Sequence, residues 1–188
     1  MPVLHLLAGP NGAGKSSYVA DVLQPVTHLP FVNADVIAAK RWPTAQAQHA
    51  YQAAQAAAEQ RQMLLVERRS FITETVFSHP SKVELVEQAV SLGYLVHLHV
   101  MLLPVEVTVA RVAFRVRHGG HDVPEDKIRA RYERLWELVA VARNRADRAD
   151  FFDNSRAETP FRLVATFEWG ELVGLPAWPG WTPKALLR

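Results

Sequence analysis

The chain has 188 residues, 49% of them apolar and 21% charged, a length and balance that suit one globular domain and argue against disorder. Its formal charge of +2 argues neither for nor against a nucleic-acid partner, and the absence of cysteine excludes disulfides, thiolate catalysis and cysteine-based zinc sites. No run approaches the length of a membrane span and no charged segment precedes the first apolar run, so the expectation is a single cytoplasmic domain over residues 1–188, with its core in about 1–155.

Val3 to Ala8 is a short apolar run of buried-strand type. The residues that follow fit G-x-x-x-x-G-K-[ST], with Gly9, Gly14, Lys15 and Ser16 at the fixed positions. Strand, glycine loop and helix start stand in the order that wraps a polyphosphate in backbone N–H groups. Gly9, Pro10, Asn11, Gly12, Ala13, Gly14, Lys15, Ser16 and Ser17 are therefore the candidate nucleotide-binding residues. Lys15 is expected to reach the outer phosphates, and the Ser16 hydroxyl to hold Mg²⁺. A helix is expected from Lys15 to Leu23, ended by Pro25.

Leu29 to Asn33 reads as a second short strand, with Asp35 immediately after it. Ligands gather at the carboxyl ends of strands in an open α/β sheet, so an acid there is placed for chemistry. Asn33 or Asp35 would also cap the helix that follows. From Pro43 to Val66 the Ala- and Gln-rich sequence predicts one long helix, in which His49 and Tyr51 read more readily as packed or solvated side chains than as ligand contacts. Ser70 to Thr75 has the content of a third strand and puts Glu74 near its carboxyl end. Glu74 would then face the same crevice as Lys15 and Asp35, to bind a substrate hydroxyl or a Mg²⁺-bound water, the alternative being a pairing with Arg68 or Arg69.

A helix over Pro80 to Leu92, capped at Gly93, leads into an apolar strand from Tyr94 to Leu103. His97 and His99 share one face of it, and with no third ligand in sequence reach they read as sheet-face histidines rather than metal ligands. After Pro104 comes a helix with Arg111 and Arg115 on one face, a loop at 118–124, and a second helix with an apolar stripe at Ile128, Tyr132, Leu135, Val139 and Ala142. Arg115 and Arg131 are assigned to a lid over the phosphates, where guanidinium groups stabilise transferred charge, while Arg134 and Arg145 are left on the surface. Asp150 to Asn154 reads as a fifth strand, Phe161 to Val173 as a β-hairpin, and the proline-rich tail as an extended segment on the body.

The loop GPNGAGKSS, the segment FVNADVIA, the TET at Thr73 to Thr75, and RVAFRVRHGGHDVP followed by IRARY together resemble the zeta-toxin-like P-loop kinases. The resemblance runs from Val3 to about Asn154 and implies an α/β P-loop fold with a five-stranded, mostly parallel sheet flanked by helices, here followed by the C-terminal hairpin. It also implies ATP and Mg²⁺ as donor and cofactor, and an acceptor alcohol, which in zeta toxins is the 3′-hydroxyl of a UDP-activated N-acetyl amino sugar. On that resemblance Asp35 orients and deprotonates the acceptor, Glu74 and Thr75 bind it, and Arg111, Arg115 and Arg131 belong to the arginine-rich lid. A separate antitoxin protein is the implied partner. The chain has Glu74-Thr75-Val76-Phe77-Ser78 where the toxins carry E-G-T-x-R. The rival readings are a nucleic-acid end kinase, which would want a basic track with aromatic stacking partners, and a regulatory ATPase without an acceptor.

Overall fold

The computed structural model describes residues 1–118 and 123–188. They form a seven-stranded sheet in the order β2-β3-β1-β4-β5-β6-β7. The first five strands are β1 (Val3–Ala8), β2 (Phe31–Val32), β3 (Phe71–Thr75), β4 (Leu95–Leu102) and β5 (Arg148–Asp153), and all pair in parallel. The C-terminal hairpin, β6 (Arg162–Glu168) and β7 (Glu171–Val173), extends the same sheet antiparallel from β5. The expected five parallel strands and hairpin are thus one continuous sheet.

Side-chain alternation divides the core in two. Leu4, Leu6 and Ala8 of β1 point to the face shared by Phe71, Leu98, Val100 and Phe151. That face is covered by α4 (Ala50–Val66), α5 (Ser81–Ser91) and α7 (Glu125–Arg143) through Leu65, Val86, Leu135 and Val139. The opposite face carries Leu7, Ile72, Met101 and Phe152, packed under Tyr18, Val19 and Leu23. A third, small cluster joins Val112 of α6 (Val105–Arg117) to Val123 and Ile128.

Two helix expectations need correction. The first helix does not end at Pro25. It starts as α1 (Lys15–Tyr18), widens into a π-helical stretch at Val19–Leu23 and resumes as α2 (Gln24–Thr27), with His28 left-handed at φ 55° as its cap. In the wider register the Gln24 N–H bonds the Val19 carbonyl, so the proline without an N–H falls at the change of register, where its missing donor costs least. The long helix starts at Ala50 rather than at Pro43. Pro43 disfavours helical backbone at Trp42, which ends α3 (Ala34–Arg41), and residues 43–49 fold as successive turns under a Trp42–His49 stack with ring centroids 4.6 Å apart. Good helix formers alone do not override that start. The loop expected at 118–124 lies largely outside the described residues.

The tail from Leu175 packs on the body, where Trp178 sits 5.3 Å from Phe151 and Arg143 donates to the Leu186 and Arg188 carbonyls at 3.1 and 2.9 Å, but it is not extended throughout, since Lys184–Leu187 form a 3-10 turn. Among the described residues no helix is long and apolar enough to cross a membrane.

Leu98 lies at the centre of the larger core and is fully buried. Leu98→Ala should lower the unfolding free energy by about 2–5 kcal/mol, whereas Val26→Ala, at an 80% exposed position, should stay within about 0.5 kcal/mol. Urea unfolding of the two variants checks the contrast.

Candidate active site

A cleft of about 890 Å³ opens at the carboxyl ends of the parallel strands. Its floor is the loop from Asn11 to Ser17, and its walls come from the ends of β2 and β3 and from α4, α5, α6 and α7. Parallel pairing sends β1, β2 and β3 out at the same edge, which brings segments distant in sequence around one space.

The loop is fixed from beneath. Gly9 has φ 149° and lies so close to β4 that a Cβ would stand 2.5 Å from the Met101 carbonyl oxygen. At Gly14, φ 84°, a Cβ would stand 2.5 Å from Asn154 Nδ2. Only glycine meets both demands. Asn154, just past β5, donates to the Ala13 carbonyl at 2.9 Å and accepts from the Phe161 N–H at 3.2 Å. Arg111 donates to the Gly12 carbonyl at 3.2 Å and to the Asn154 carbonyl at 2.9 Å. Lys15 is only 8% exposed and donates to the Gly9 and Pro10 carbonyls at 3.0 and 2.9 Å, so its ammonium lies across the bend of the loop.

On the acceptor side the cap question resolves. Asn33, not Asp35, caps α3: its Oδ1 accepts from the Asp35 and Val36 N–H groups at 2.6 and 3.2 Å. Asp35 thus stands in the first turn of α3, exposed on the cleft wall. The Asn33 Nδ2 donates to Glu74 at 2.6 Å, and the Ser16 hydroxyl lies 2.9 Å from both Glu74 oxygens. Glu74 pairs with neither Arg68 nor Arg69 there; Arg69 meets Glu67 instead. Thr75 lines the cleft and accepts from the Phe77 N–H at 3.1 Å, holding the turn after β3.

The charges are coupled. Burial pushes the Lys15 ammonium below its ordinary value, the nearby Glu74 and Asp35 oppose that shift, and Arg115 adds to it. Burial raises the Glu74 carboxyl, against Lys15 and the Ser16 hydrogen bond, while Asp35 adds to the rise. The Ser16 hydroxyl and the Glu74 carboxylate give a set of oxygen donors beside the phosphate loop, which suits a hard cation such as Mg²⁺.

Of the arginines assigned from sequence, Arg111, Arg115 and Arg131 all line the cleft, Arg111 with donors committed to the loop backbone. Arg134 is exposed, and Arg145 lies 3.5 Å from Glu87 on the surface. Sequence reasoning missed Asn154 as a brace and missed two cations on the far wall, Arg61 of α4 and Lys82 of α5. Burial lowers both. The neighbouring Arg61 lowers Lys82 further, and Glu84 works against that. No local motif marks these residues, because they reach the cleft only through the packing of separate elements.

Residues 4–138 match the family model of an AAA domain. No curated protein matches the chain at the level of sequence. Among solved structures, the AvrRxo1-ORF1:AvrRxo1-ORF2 complex with sulphate ions matches at a TM-score of 0.72 and 18% identity, over 92% of this chain and 60% of that chain. The chain therefore spans three fifths of the AvrRxo1 chain it resembles. The PezAT chromosomal toxin–antitoxin system of Streptococcus pneumoniae matches at 0.61 and 14% identity, over 87% of this chain and 72% of that one. Shikimate kinase from Acinetobacter baumannii in complex with shikimate matches at 0.53 and 17% identity, over 84% and 86%. These likenesses are of fold, and the fold is that of P-loop kinases.

The raised Glu74 carboxyl has a measurable sign. The folded chain holds the Glu74 proton to higher pH than the unfolded chain, so Glu74 makes stability fall as pH rises from the ordinary carboxylate range through its folded value. Glu74→Gln cannot ionise, and its stability relative to the parent should improve between about pH 4 and about pH 8 in urea unfolding. An equal difference at both pH values would mean that the fold does not raise the Glu74 carboxyl.

Proposed function

Because the chain belongs to the AAA domain family and holds its phosphate loop in a P-loop kinase fold, we propose that it is an ATP-dependent phosphotransferase acting on a small hydroxyl-bearing acceptor. The observation that carries this reading is the bridge through Glu74. One carboxylate joins Ser16 of the phosphate loop to Asn33, the residue that sets Asp35 at the cleft wall. An acid on that wall serves an attacking oxygen, and the transfer assay below separates an acceptor hydroxyl from water.

In the proposed reaction backbone N–H groups of the loop and of the start of α1, toward Ser17, hold the phosphates, and Lys15 leaves the Gly9 and Pro10 carbonyls to meet the outer ones. Ser16 would hold Mg²⁺, which would supply positive charge to the phosphate oxygens. Asp35 accepts the proton of the acceptor hydroxyl as that oxygen attacks the γ-phosphorus, and ADP leaves. Glu74 and Thr75 position the acceptor, and Arg115 and Arg131 face the transferred charge from α6 and α7. Arg111 serves here mainly by bracing the loop from which the donor hangs.

Arg61 and Lys82 give the far wall positive charge, which suits an acceptor that carries an anionic group. A UDP-activated N-acetyl amino sugar, phosphorylated at its 3′-hydroxyl, fits that requirement and is the first acceptor to try. The fold likeness to a complex of AvrRxo1-ORF1 with AvrRxo1-ORF2 and to the PezAT toxin–antitoxin system supports a separate antitoxin protein as partner.

Transfer of label from γ-labelled ATP should be measured to UDP-N-acetylglucosamine, a panel of small alcohols and RNA ends. Asp35→Asn should keep ATP binding and lose about 10²–10⁴-fold in transfer rate, while Lys15→Ala should lose both. Unchanged transfer by Asp35→Asn would remove Asp35 from the mechanism. Label released only to water would replace the kinase with an ATPase, and label on RNA ends would replace it with an end kinase.

A further inference from the structure

The parallel pairing of β1 with β4 supplies what the spacing of His97 and His99 lacks. His5 of β1 stands directly opposite His97, so three imidazoles share the sheet face that carries Leu7 and Met101. One ring nitrogen from each lies within 4.8 Å of the others. None of the three lines the phosphate cleft.

The donor set resembles a ligand set more than a packed aromatic cluster. His5 Nδ1 and His99 Nε2 are 3.0 Å apart. Two nitrogens bound to one tetrahedral cation at about 2.0–2.1 Å stand roughly 3.3 Å apart, so this pair needs only slight widening. His97 lies 3.9 Å from His99 and 5.5 Å from His5, ring centre to ring centre, and must tilt off its neighbour to join them. Its Nε2 meets the Asp150 carboxylate at 2.7 Å. An ionised carboxylate only accepts, so Nε2 carries a proton, and in the neutral ring it is Nδ1 that offers the lone pair. Asp150 is itself fixed by Arg148 at 2.9 and 3.1 Å and by the Thr166 hydroxyl at 2.7 Å.

His5 Nδ1 and His99 Nε2 share one imidazole–imidazole hydrogen bond, whose proton must move to the other nitrogen of its ring for both to ligate. His99 is 2% exposed, and that other nitrogen, Nδ1, has no hydrogen-bond partner among the described residues. His5 and His97 are half-buried, which leaves a route for an ion and for a water as fourth ligand. Burial, with help from His97, lowers the His5 pKa to about 4 and holds His99 well below the usual imidazole range. Both rings are therefore neutral at physiological pH, the form that ligates metal.

We propose that His5, His97 and His99 form a three-imidazole site for a divalent transition-metal ion of the zinc class, with Asp150 as the carboxylate that orients His97. Nitrogen donors without a carboxylate in direct reach of the ion disfavour Mg²⁺ and Ca²⁺, so this site and the phosphate cleft sort their metals by donor chemistry.

The test is a titration of the untagged full chain with Co²⁺, followed by its visible ligand-field absorption and then by displacement with Zn²⁺. One tetrahedral Co²⁺ per chain is expected, equally in Lys15→Ala, which leaves the histidine cluster intact. The double variant His5→Gln/His97→Gln should lose the absorption while keeping its circular dichroism, and Asp150→Asn should weaken binding about 10–100-fold. No tetrahedral absorption in the parent chain would overturn the site, as would equal binding by the folded double variant. Full affinity in Asp150→Asn would overturn the orienting role of Asp150.

Discussion

The carboxylate of Glu74 is the constraint around which the cleft is built. It is half-buried and receives hydrogen bonds from Ser16 and Asn33, which lie 58 and 41 residues away along the chain. Desolvating an acid is unfavourable unless several donors converge on it. Those donors converge only if β1, β2 and β3 lie side by side in parallel with Glu74 opposite Leu7. A slip of one residue would exchange Glu74 with Thr73, which donates to the Val32 carbonyl at 2.8 Å, and would turn the acid away from the loop. Sheet register and site chemistry are thus one requirement.

A second demand comes from the loop itself, whose carbonyls must be satisfied. Lys15, Arg111 and Asn154 supply those donors, from the loop, from α6 and from the end of β5. The bends at Gly9 and Gly14 are held by backbone geometry and by side chains arriving from three directions. A rigid cradle lowers the ordering needed when an anion enters, since most of it is already in place.

Much of this was legible in the order of residues, and the limits have physical causes. The phosphate loop is a local motif, and the placement of Asp35 and Glu74 follows from the strand-end rule applied to short apolar runs, so those elements could be placed without coordinates. The choice between Asn33 and Asp35 as cap could not, because both are good caps and only the turn geometry separates them. Pro25 and Pro43 misled in opposite ways: one was absorbed by a change of helical register, and the other held off a helix that composition favours. Arg61, Lys82, Asn154 and His5 were silent because each acquires its meaning from a neighbour on another element. Periodicity tells which face a residue occupies but not which strand lies beside it.

The two margins of the sheet differ from its interior in a way that bears on association. β2 has two residues, and β7 has three, all exposed. Margins this short offer an incoming strand almost no run of unpaired N–H and C=O groups to pair with, a property that protects against edge-to-edge aggregation. A protein that recognises this chain would therefore find little support for adding a strand and would have to read side chains on the helices, the loops or the cleft rim. Recognition by surface shape and charge can be lost or gained through single substitutions without disturbing the sheet beneath.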